Sequence, residues 1–472
     1  MHLVFFNPQG NFDPQDSHLT EHPDFGGQLV YVKEVAQALA AMGHRVDILT
    51  RRIDDPHWPE FASAIEQYPE SPDNLRIVRL ECGGLKFLNK EQLWDHLPEF
   101  VDNAVRFYAG AMPDFATAHY ADGGYCAALL ERSNGIGFSF TGHSLGAQKL
   151  DKLGMCEANA VEMEARFKFS RRIAAERLAM ERAARIITST EQEHMEQYSH
   201  PLYRGAVDVD DGTKFAVIPP GVNTRIFSTE AGEIDRSLAN GLLAGIGANG
   251  RPMVIVSNRL DEKKNTIGVV EAFASSSELR QRAGLILCVR GVDDPFAEID
   301  QVDESERDVL AAILEAIERN GLRDQVNFLN IPSQRALAAT YRAVARTGGV
   351  FALTAFYEPF GLAPIEAAAC GLACVATRNG GPSEIFADGS GVLVDPEDPS
   401  DIARGLIEAL ENQADLSRRA RERVLMTYTW EQTAQGYVAV IEEALARGHA
   451  SIPEVPPLDA SDRIANYLVR AS

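Results

Sequence analysis

Two glutamates with seven residues between them, Glu358 and Glu366, could together hold the sugar groups of a nucleotide-sugar ligand. Their segment follows a predicted strand and opens a predicted helix, so the backbone amides around Gly361 and Leu362 could bind a diphosphate at the helix N-terminus. The Glu358 carboxylate could accept hydrogen bonds from sugar hydroxyls, and Glu366, in the first helical turn, could bind a ribose diol. The same residues also allow an interpretation without a ligand. In it, Glu366 only interacts favourably with the positive end of the helix dipole, and Glu358 is a solvated loop residue.

The basic residues Arg259 and Lys264 form a second candidate group. Arg259 directly follows a predicted strand and Lys264 stands where the next helix is predicted to begin, so both cations would face the same edge of a crevice. With helix amides they could neutralise a departing diphosphate, which is the task of a divalent ion in other enzymes. A basic pair alone is more often a solvated turn, and only together with the glutamates does it favour a binding site.

No metal site is predicted. Two acidic runs, Asp208–Asp211 and Asp293-Asp294, have spacings close to a metal-binding D-x-D motif, but they lie in polar stretches that do not follow a predicted strand. The nearest pair of cysteines, Cys370 and Cys374, lies in an apolar segment typical of a core. We therefore expect no essential cofactor, with Mg²⁺ at most a stimulator of turnover.

Alternating strand and helix signals predict an α/β protein with two successive doubly wound parallel sheets. The first series begins with the apolar run Leu3–Phe6, and the second begins with Met253–Ser257. A Gly/Ala-rich stretch from 238 to 250 places the boundary nearby, and we predict domains over 1–229 and 230–429. Because ligands bind beyond the carboxyl ends of parallel strands, two such sheets predict a ligand cleft between them.

The composition excludes several classes of partner and location. A formal net charge of −23 argues against nucleic acid and anionic membranes as partners. No run of 18 or more apolar residues is present, and the first residues read as a strand rather than as a signal peptide. Six scattered cysteines indicate a reducing compartment. The expectation is a cytoplasmic protein.

The glutamate spacing resembles the E-x-F-G-x-x-x-x-E signature of retaining GT-B glycosyltransferases of the glycogen synthase, sucrose synthase and sucrose-phosphate synthase type. The segment Ser257–Asn265 likewise resembles the Arg/Lys pair of that family. The resemblance implies that the first glutamate contacts the donor sugar, the second the ribose, and the basic pair the diphosphate. The implied donor-binding residues are Gly27, Arg259, Lys264, Glu358, Phe360, Gly361, Leu362 and Glu366.

The N-terminal half of the sequence indicates a more specific group within this family. The segments Asn7–Phe12, Phe25–Gln28 and Gly142–Lys149 closely resemble bacterial sucrose-phosphate synthases of glycosyltransferase family 4. The likeness continues through Phe167–Arg172 to Arg378–Pro382 and so spans nearly the whole chain. The implied acceptor-binding residues are Gly26, Gln28, Lys90, Tyr120, Ser144, Lys149, Arg171 and Arg172.

Two of these assignments need a choice. Adjacent helical residues point about 100° apart, so only one of Arg171 and Arg172 is expected to face the ligand. The resemblance favours Arg172 as the residue that faces the ligand, because of its position in the matching segment. His143 is similar to a family histidine near the donor sugar and the reacting oxygens, which makes His143, Glu358, Arg259 and Lys264 the implied catalytic set.

The resemblance implies a GT-B fold, in which two Rossmann-like domains face each other across a deep cleft and the final helices, 430–472, return to the first domain. It implies transfer of glucose, with retention, from UDP-glucose or ADP-glucose to fructose 6-phosphate. The first domain would bind the acceptor and the second the nucleotide sugar. A separate phosphatase would act on the product.

Other functions stay open at this point. Sucrose synthase and mannosylfructose-phosphate synthase activities fit the same fold, and so does a nucleotide-sugar-binding regulator without catalysis. The segment Gly142–Gly146 is also a literal G-x-S-x-G, the nucleophile elbow of α/β-hydrolases. A hydrolase would leave the second α/β domain, the glutamate frame and the basic pair without a role.

Overall fold

The computed structural model describes residues 1–14, 27–69, 71–230, 251–448 and 454–471. Contacts between Cα atoms divide the chain into two compact units. Unit 1 comprises Met1–Pro219 with Thr433–Ser472, and unit 2 comprises Pro220–Gln432. The sequence placed the corresponding boundaries at 229/230 and 429/430. The Gly/Ala-rich stretch that suggested the first boundary, residues 238–250, lies outside the described residues.

Unit 1 is built on an eight-stranded sheet with the strand order β3-β4-β2-β1-β5-β6-β7-β8, in which only β3 runs antiparallel to its neighbour. Most of these strands are buried along nearly their whole length because helices cover both faces of a parallel sheet. Their bounds are β1 His2–Phe6, β2 Arg45–Arg51, β3 Ile65–Glu66, β4 Leu75–Leu80, β5 Phe115–His119, β6 Phe138–Thr141, β7 Arg185–Thr188 and β8 Phe215–Val217. The strand order reverses between β1 and β5, which is where an open sheet of this kind forms a crevice.

Six helices of unit 1 come from the N-terminal part of the chain. They are α1 Gly27–Ala41, α2 Leu97–Phe107, α3 Tyr120–Asn134, α4 Gly146–Lys152, α5 Ala160–Phe167 and α6 Phe169–Arg182. The sequence predicted one long helix over 157–184, which is wrong. Lys168 has a left-handed backbone with φ 52° and ends α5, and the Glu164 carboxylate then accepts the first free amide of α6, from Ser170 at 2.9 Å.

Unit 2 contains a six-stranded, wholly parallel sheet with the order β11-β10-β9-β12-β13-β14. Its strands are β9 Met253–Val256, β10 Gly284–Cys288, β11 Val326–Leu329, β12 Val350–Leu353, β13 Ala373–Thr377 and β14 Val392–Val394. Its described helices are α7 Thr266–Ser275, α8 Ser277–Arg282, α9 Pro295–Glu298, α10 Glu304–Arg319, α11 Gln334–Arg346, α12 Leu362–Ala369, α13 Gly381–Ile385, α14 Pro399–Glu411 and α15 Gln413–Thr427. Two apolar clusters fill the two faces of the sheet. The prediction of two parallel-sheet α/β domains is confirmed.

The chain closes with α16, Trp430–Arg447, and α17, Ser461–Ala471. From Thr433 onward these residues belong to unit 1. The Tyr437 hydroxyl lies 3.1 Å from the Thr141 hydroxyl at the end of β6 and 3.0 Å from the Tyr31 hydroxyl of α1. The C-terminal segment therefore packs beside the strand end that precedes His143. No helix in the described ranges is both long and apolar enough to span a membrane.

Candidate active site

The loop between β12 and α12 carries Glu358 and is held by the next strand connection. The Glu358 amide donates to the Asn379 carbonyl at 3.1 Å, and the Gly381 amide donates to the Glu358 carbonyl at 2.9 Å. A Cβ on Gly380 would overlap the Glu358 carbonyl, and one on Gly381 would overlap the Phe360 backbone. Two glycines are needed here because the two segments approach at backbone distance. The position of the Glu358 backbone is thus fixed without using its side chain.

The Glu358 carboxylate pairs with Lys264, whose Nζ lies 2.6 Å from Oε2. The two side chains are 14% and 23% exposed, so the pair is only partly in contact with solvent. Asn265 places the lysine: its left-handed backbone (φ 50°) ends a short helical turn, and its buried amide donates to the Thr354 and Pro396 carbonyls at 3.1 and 2.7 Å. Sequence reasoning missed Asn265, although a polar residue before a helix is a capping signal.

Arg259 lies just beyond β9 and is exposed. Within the described part of the chain its guanidinium makes no hydrogen bond or ion pair, whereas Lys264 is paired with Glu358. The structure thus places both predicted cations after β9, one paired and one available to an anion.

Helix α12 offers unsatisfied backbone donors at its start. Gly361, with φ 109°, precedes the helix, and no side chain caps the amides that follow at Leu362 and Ala363. Such amides bind anions readily. Phe360 was predicted as donor-binding, but its ring is buried against Tyr428, with 6.0 Å between ring centroids. Only the backbone of Phe360 is left for a ligand.

Glu366 is the fifth residue of α12 and lies in its second turn, not in the first turn as the sequence suggested. A favourable interaction with the helix dipole therefore does not explain why a glutamate stands at position 366. Its carboxylate has no hydrogen-bond or ionic partner among the described residues. Burial raises the pKa of Glu366 from its ordinary value of 4.5 to about 8. A half-buried carboxyl with no partner among the described residues is suited to bind a pair of ligand hydroxyls.

The raised pKa gives a pH-dependent cost to folding. Between pH 4.5 and 8 the folded chain keeps a proton on Glu366 that the unfolded chain loses, so this group lowers stability as the pH rises through that interval. We expect Glu366→Gln to raise the melting temperature over the unmutated chain, by a margin that grows from pH 5 to pH 8.5. Scanning calorimetry measures it, with the exposed Glu397→Gln as control. Margins that do not change with pH would show that Glu366 is not held protonated.

On unit 1, a cavity of about 240 Å³ lies at the carboxyl ends of β5 and β6 and brings together most of the predicted acceptor residues. These are Gln28, Lys90, Tyr120, Ser144, Lys149 and Arg172. The remaining lining residues, which sequence reasoning did not select, are Gln9, Glu91, Trp94, Ala121, Asp122 and Phe167. Three cations on one small cavity, in a chain with a net charge of −23, make it a candidate anion site.

The two neighbouring arginines of α6 take different directions. Arg172 lines the cavity, and its guanidinium donates to the Ser144 carbonyl and, at 3.0 Å, to Glu176. Arg171 instead pairs with Asp95 on the surface, at 2.7 Å, and does not line the cavity.

Glu176 is a buried organising residue that sequence reasoning missed. Its carboxylate accepts hydrogen bonds from the Arg172 guanidinium, the Tyr203 hydroxyl and, at 2.8 Å, the Gly146 amide. It thereby fixes Arg172 relative to the start of α4. The i, i+4 spacing of Arg172 and Glu176 on a helix was the signal that could have revealed it.

Asp122 places a carboxyl among the cations of the cavity. It lies in the first turn of α3 and is buried, which raises its pKa to about 6, while Arg172 acts in the opposite direction. A carboxylate repels a phosphate and accepts from a hydroxyl. Asp122 therefore offers the cavity an acceptor for a ligand hydroxyl.

Two predicted residues, Tyr120 and His143, have left-handed backbones, with φ 62° and 55°. Such conformations cost roughly 1–3 kcal/mol in residues with side chains and persist where the surrounding structure enforces them. Tyr120 directly follows β5, and His143 lies two residues beyond the end of β6. Burial lowers the pKa of His143 to about 4, so its ring is neutral at pH 7. The Nε2 atom of His143 lies 2.9 Å from Nδ1 of His119.

The glycine turn before α1 is described only in part. Gly26 lies outside the described residues, and Gly27 is the first residue of α1. Gln28 is buried at the cavity, and its Nε2 has no hydrogen-bond partner among the described residues.

Across the described ranges, no three His, Cys, Asp or Glu side chains group as a metal site would require. The hydroxyl of Ser144, the serine of the G-x-S-x-G match, is not hydrogen-bonded to a histidine in the part of the chain that the structure describes.

Comparison with protein families gives two matches. The model for glycosyl transferases group 1 matches residues 246–424, and that for a glycosyl transferase 4-like domain matches residues 26–201. A probable sucrose-phosphate synthase from Thermosipho melanesiensis is 45% identical over 447 residues, covering 94% of this chain and 97% of that protein. The sucrose-phosphate synthase of Spinacia oleracea is 33% identical and covers 95% of this chain. The chain spans only 48% of the spinach protein.

Among solved structures, a sucrose-phosphate synthase from Thermosynechococcus elongatus matches 95% of this chain and 100% of its own, with a TM-score of 0.68 and 26% identity. Anabaena HepE in complex with UDP and glucose matches 94% of this chain and 100% of its own, with a TM-score of 0.60 and 17% identity. The second likeness bears on the fold alone.

Proposed function

The chain belongs to the sucrose-phosphate synthase family of group 1 glycosyltransferases, and from this we propose that it transfers glucose from UDP-glucose to fructose 6-phosphate. The products are sucrose 6-phosphate and UDP, with retention at the anomeric carbon. Membership in the family also shows that the hydrolase interpretation of the G-x-S-x-G match is wrong. The observation that carries the choice of acceptor is the cavity of unit 1, which is lined by Lys90, Lys149 and Arg172.

The acceptor half of the proposal divides the cavity by charge. The three cations bind the phosphate group, and the Arg172 guanidinium can make two parallel hydrogen bonds to it. Asp122 and the Gln28 amide, whose Nε2 has no partner among the described residues, bind hydroxyls of the sugar. An acceptor without a phosphate would bring no anionic group to these three cations, which favours fructose 6-phosphate over free fructose.

The donor half of the proposal uses unit 2. The uncapped amides at the start of α12, with Arg259 and Lys264, bind the diphosphate. Glu358 accepts hydrogen bonds from the hydroxyls of the donor sugar, and Glu366 binds the ribose diol. In this arrangement the Lys264–Glu358 ion pair orients both side chains before the ligand arrives.

The reaction breaks the bond between the anomeric carbon and the diphosphate oxygen. The electron pair of that bond leaves with UDP, where the basic pair and the helix amides stabilise the new charge. The acceptor hydroxyl attacks the oxocarbenium-like sugar from the face that the diphosphate leaves. Its proton passes to the departing phosphate oxygen, and no enzyme nucleophile takes part.

We propose further that turnover requires no metal ion, because the cations named above neutralise the leaving diphosphate, and that Mg²⁺ at most stimulates it. A cytoplasmic location also stays a prediction. The product keeps its phosphate, so a separate phosphatase is needed to release sucrose.

A matrix of donors and acceptors tests the proposal. We expect nucleotide release and a new disaccharide with UDP-glucose or ADP-glucose together with fructose 6-phosphate, and persistence of turnover in EDTA. Fructose and glucose 6-phosphate serve as the control acceptors, and GDP-mannose as the control donor.

Other outcomes name the alternatives. Turnover with free fructose would identify a sucrose synthase activity, and turnover with GDP-mannose alone a mannosylfructose-phosphate synthase activity. Nucleotide binding without turnover in any combination would favour a regulator without catalysis. Loss of turnover in EDTA, restored by Mg²⁺, would overturn metal independence.

A further inference from the structure

A chain of three side chains begins at the buried Thr117 and His119 and ends at the half-buried His143. Thr117 and His119 lie two residues apart on β5, so both side chains stand on one face of the sheet. The Thr117 hydroxyl oxygen is 3.1 Å from Nε2 of His119, and Nδ1 of His119 is 2.9 Å from Nε2 of His143. The His119 ring is wholly buried and stacks on Phe5 at 5.4 Å, with 5° between the planes.

The direction of these hydrogen bonds follows from the threonine. Thr117 is buried, and its hydroxyl has no other hydrogen-bond partner in the described ranges. A buried hydroxyl must donate its proton or leave it unsatisfied, whereas its second lone pair can stay unused at little cost. Thr117 therefore donates to Nε2 of His119.

The rest of the chain is then determined. Because Nε2 of His119 accepts, its proton lies on Nδ1, which donates to Nε2 of His143. Nε2 of His143 accepts, so the remaining proton of that ring lies on Nδ1. Neither ring takes a second proton at pH 7, since burial lowers the pKa of both histidines.

We infer that Thr117 and His119 hold His143 in the single neutral tautomer that carries its proton on Nδ1. His143 then presents a hydrogen-bond donor, and not an acceptor, to whatever lies in front of Nδ1. That atom has no partner among the described residues. The left-handed backbone of His143 and the ring of Tyr31, 5.1 Å from its own, fix the direction in which the donor points.

This assignment bears on the reaction and rests on the proposed function in one respect, that a substrate oxygen is what meets Nδ1. A histidine with Nδ1 protonated and Nε2 engaged has no lone pair for a proton, so His143 cannot be the base that deprotonates the acceptor. Its donor instead binds an oxygen of the sugar. Thr117 and His119 are positioning residues that act through His143.

The inference is tested in the whole chain labelled with ¹⁵N-histidine, by correlations between the ring protons and nitrogens. The His143 signals are assigned by their loss in His143→Gln. We expect Nδ1 of His143 to show the shift of a protonated nitrogen and Nε2 that of an unprotonated one. Thr117→Val removes only the hydroxyl and should admit the reverse tautomer. Thr188→Val, the same change at a buried hydroxyl of β7, should leave the His143 signals unchanged.

Kinetics give a second measurement. Because Thr117→Val removes one hydrogen bond between neutral groups, it should lower kcat by about 2- to 10-fold and leave the KM for fructose 6-phosphate unchanged. His119→Phe keeps an aromatic ring against Phe5 and should lower kcat more than Thr117→Val does. In His119→Asn the side-chain amide can donate where Nδ1 did, so its kcat should lie above that of His119→Phe.

Protonation of His143 at Nε2 in the unmutated chain, or an unchanged spectrum in Thr117→Val, would overturn the inference. The spectra require no turnover. If no donor–acceptor pair reacts but Nδ1 of His143 is protonated, the proposed function fails and the positioning chain stands.

Discussion

Replacing Glu358 with alanine is expected to lower kcat by about 10²–10³-fold, the size typical of losing one preorganised electrostatic contact. The carboxylate is the group that we propose binds the donor sugar, and it is already oriented by Lys264 at 2.6 Å. The fold should survive, because the loop is held by the backbone of residue 358 and by Gly380 and Gly381, not by the carboxylate.

Steady-state kinetics at saturating substrates measure this effect, with calorimetric melting and UDP affinity measured in parallel. Glu397→Ala, an exposed glutamate of the same unit, is the matched control. A kcat within threefold of the unmutated value would remove Glu358 from the reaction. A lower melting temperature together with lost UDP binding would instead assign its effect to the loop.

The second large effect concerns the acceptor. Arg172→Ala should raise KM for fructose 6-phosphate by roughly 10- to 100-fold, since a hydrogen bond to a charged group contributes about 1.5–3 kcal/mol. KM for the nucleotide sugar should change less than twofold. Arg172→Lys keeps the charge but loses the planar guanidinium group. Its KM for fructose 6-phosphate should therefore lie between that of the unmutated chain and that of Arg172→Ala.

The structure supplies a close control in Arg171→Ala, which removes the neighbouring arginine that pairs with Asp95 on the surface. Because Arg172→Ala also leaves the buried Glu176 without its cation, the double variant Arg172→Ala with Glu176→Gln separates lost binding from lost stability. A rise in the nucleotide-sugar KM with an unchanged acceptor KM would move Arg172 to the donor side.

The sequence was sufficient for features that depend on local pattern. Apolar runs of four to six residues predicted the strands, and the motifs predicted residues at or just beyond strand ends, such as Tyr120 after β5 and Arg259 after β9. Because ligands gather at the carboxyl ends of parallel strands, residues far apart in the chain could be assigned to one site. Six of them line the cavity of unit 1.

What the sequence could not give depends on contacts between distant residues. Glu176 and His119 acquire their roles only through side chains that other elements bring to them. The break at Lys168 was missed because the helical pattern continues on both sides of it. Phe360 was predicted to bind the donor, but a motif does not state whether a side chain or its backbone meets the ligand, and the ring is buried against Tyr428.

The return of α16 and α17 to unit 1 has a consequence for synthesis. The first 219 residues leave the ribosome without the segment that begins at Thr433, so unit 1 cannot be completed when they emerge. The intervening residues number 433 − 219 − 1 = 213, which takes roughly 10–40 s at about 5–20 residues per second. During that time the hydrogen bond between the hydroxyls of Thr141 and Tyr437 cannot form, because Tyr437 has not yet been synthesised. Unit 2 is one continuous stretch of the chain, so all of its residues are present before unit 1 is complete. The half of the protein that is made first is therefore the half that is finished last.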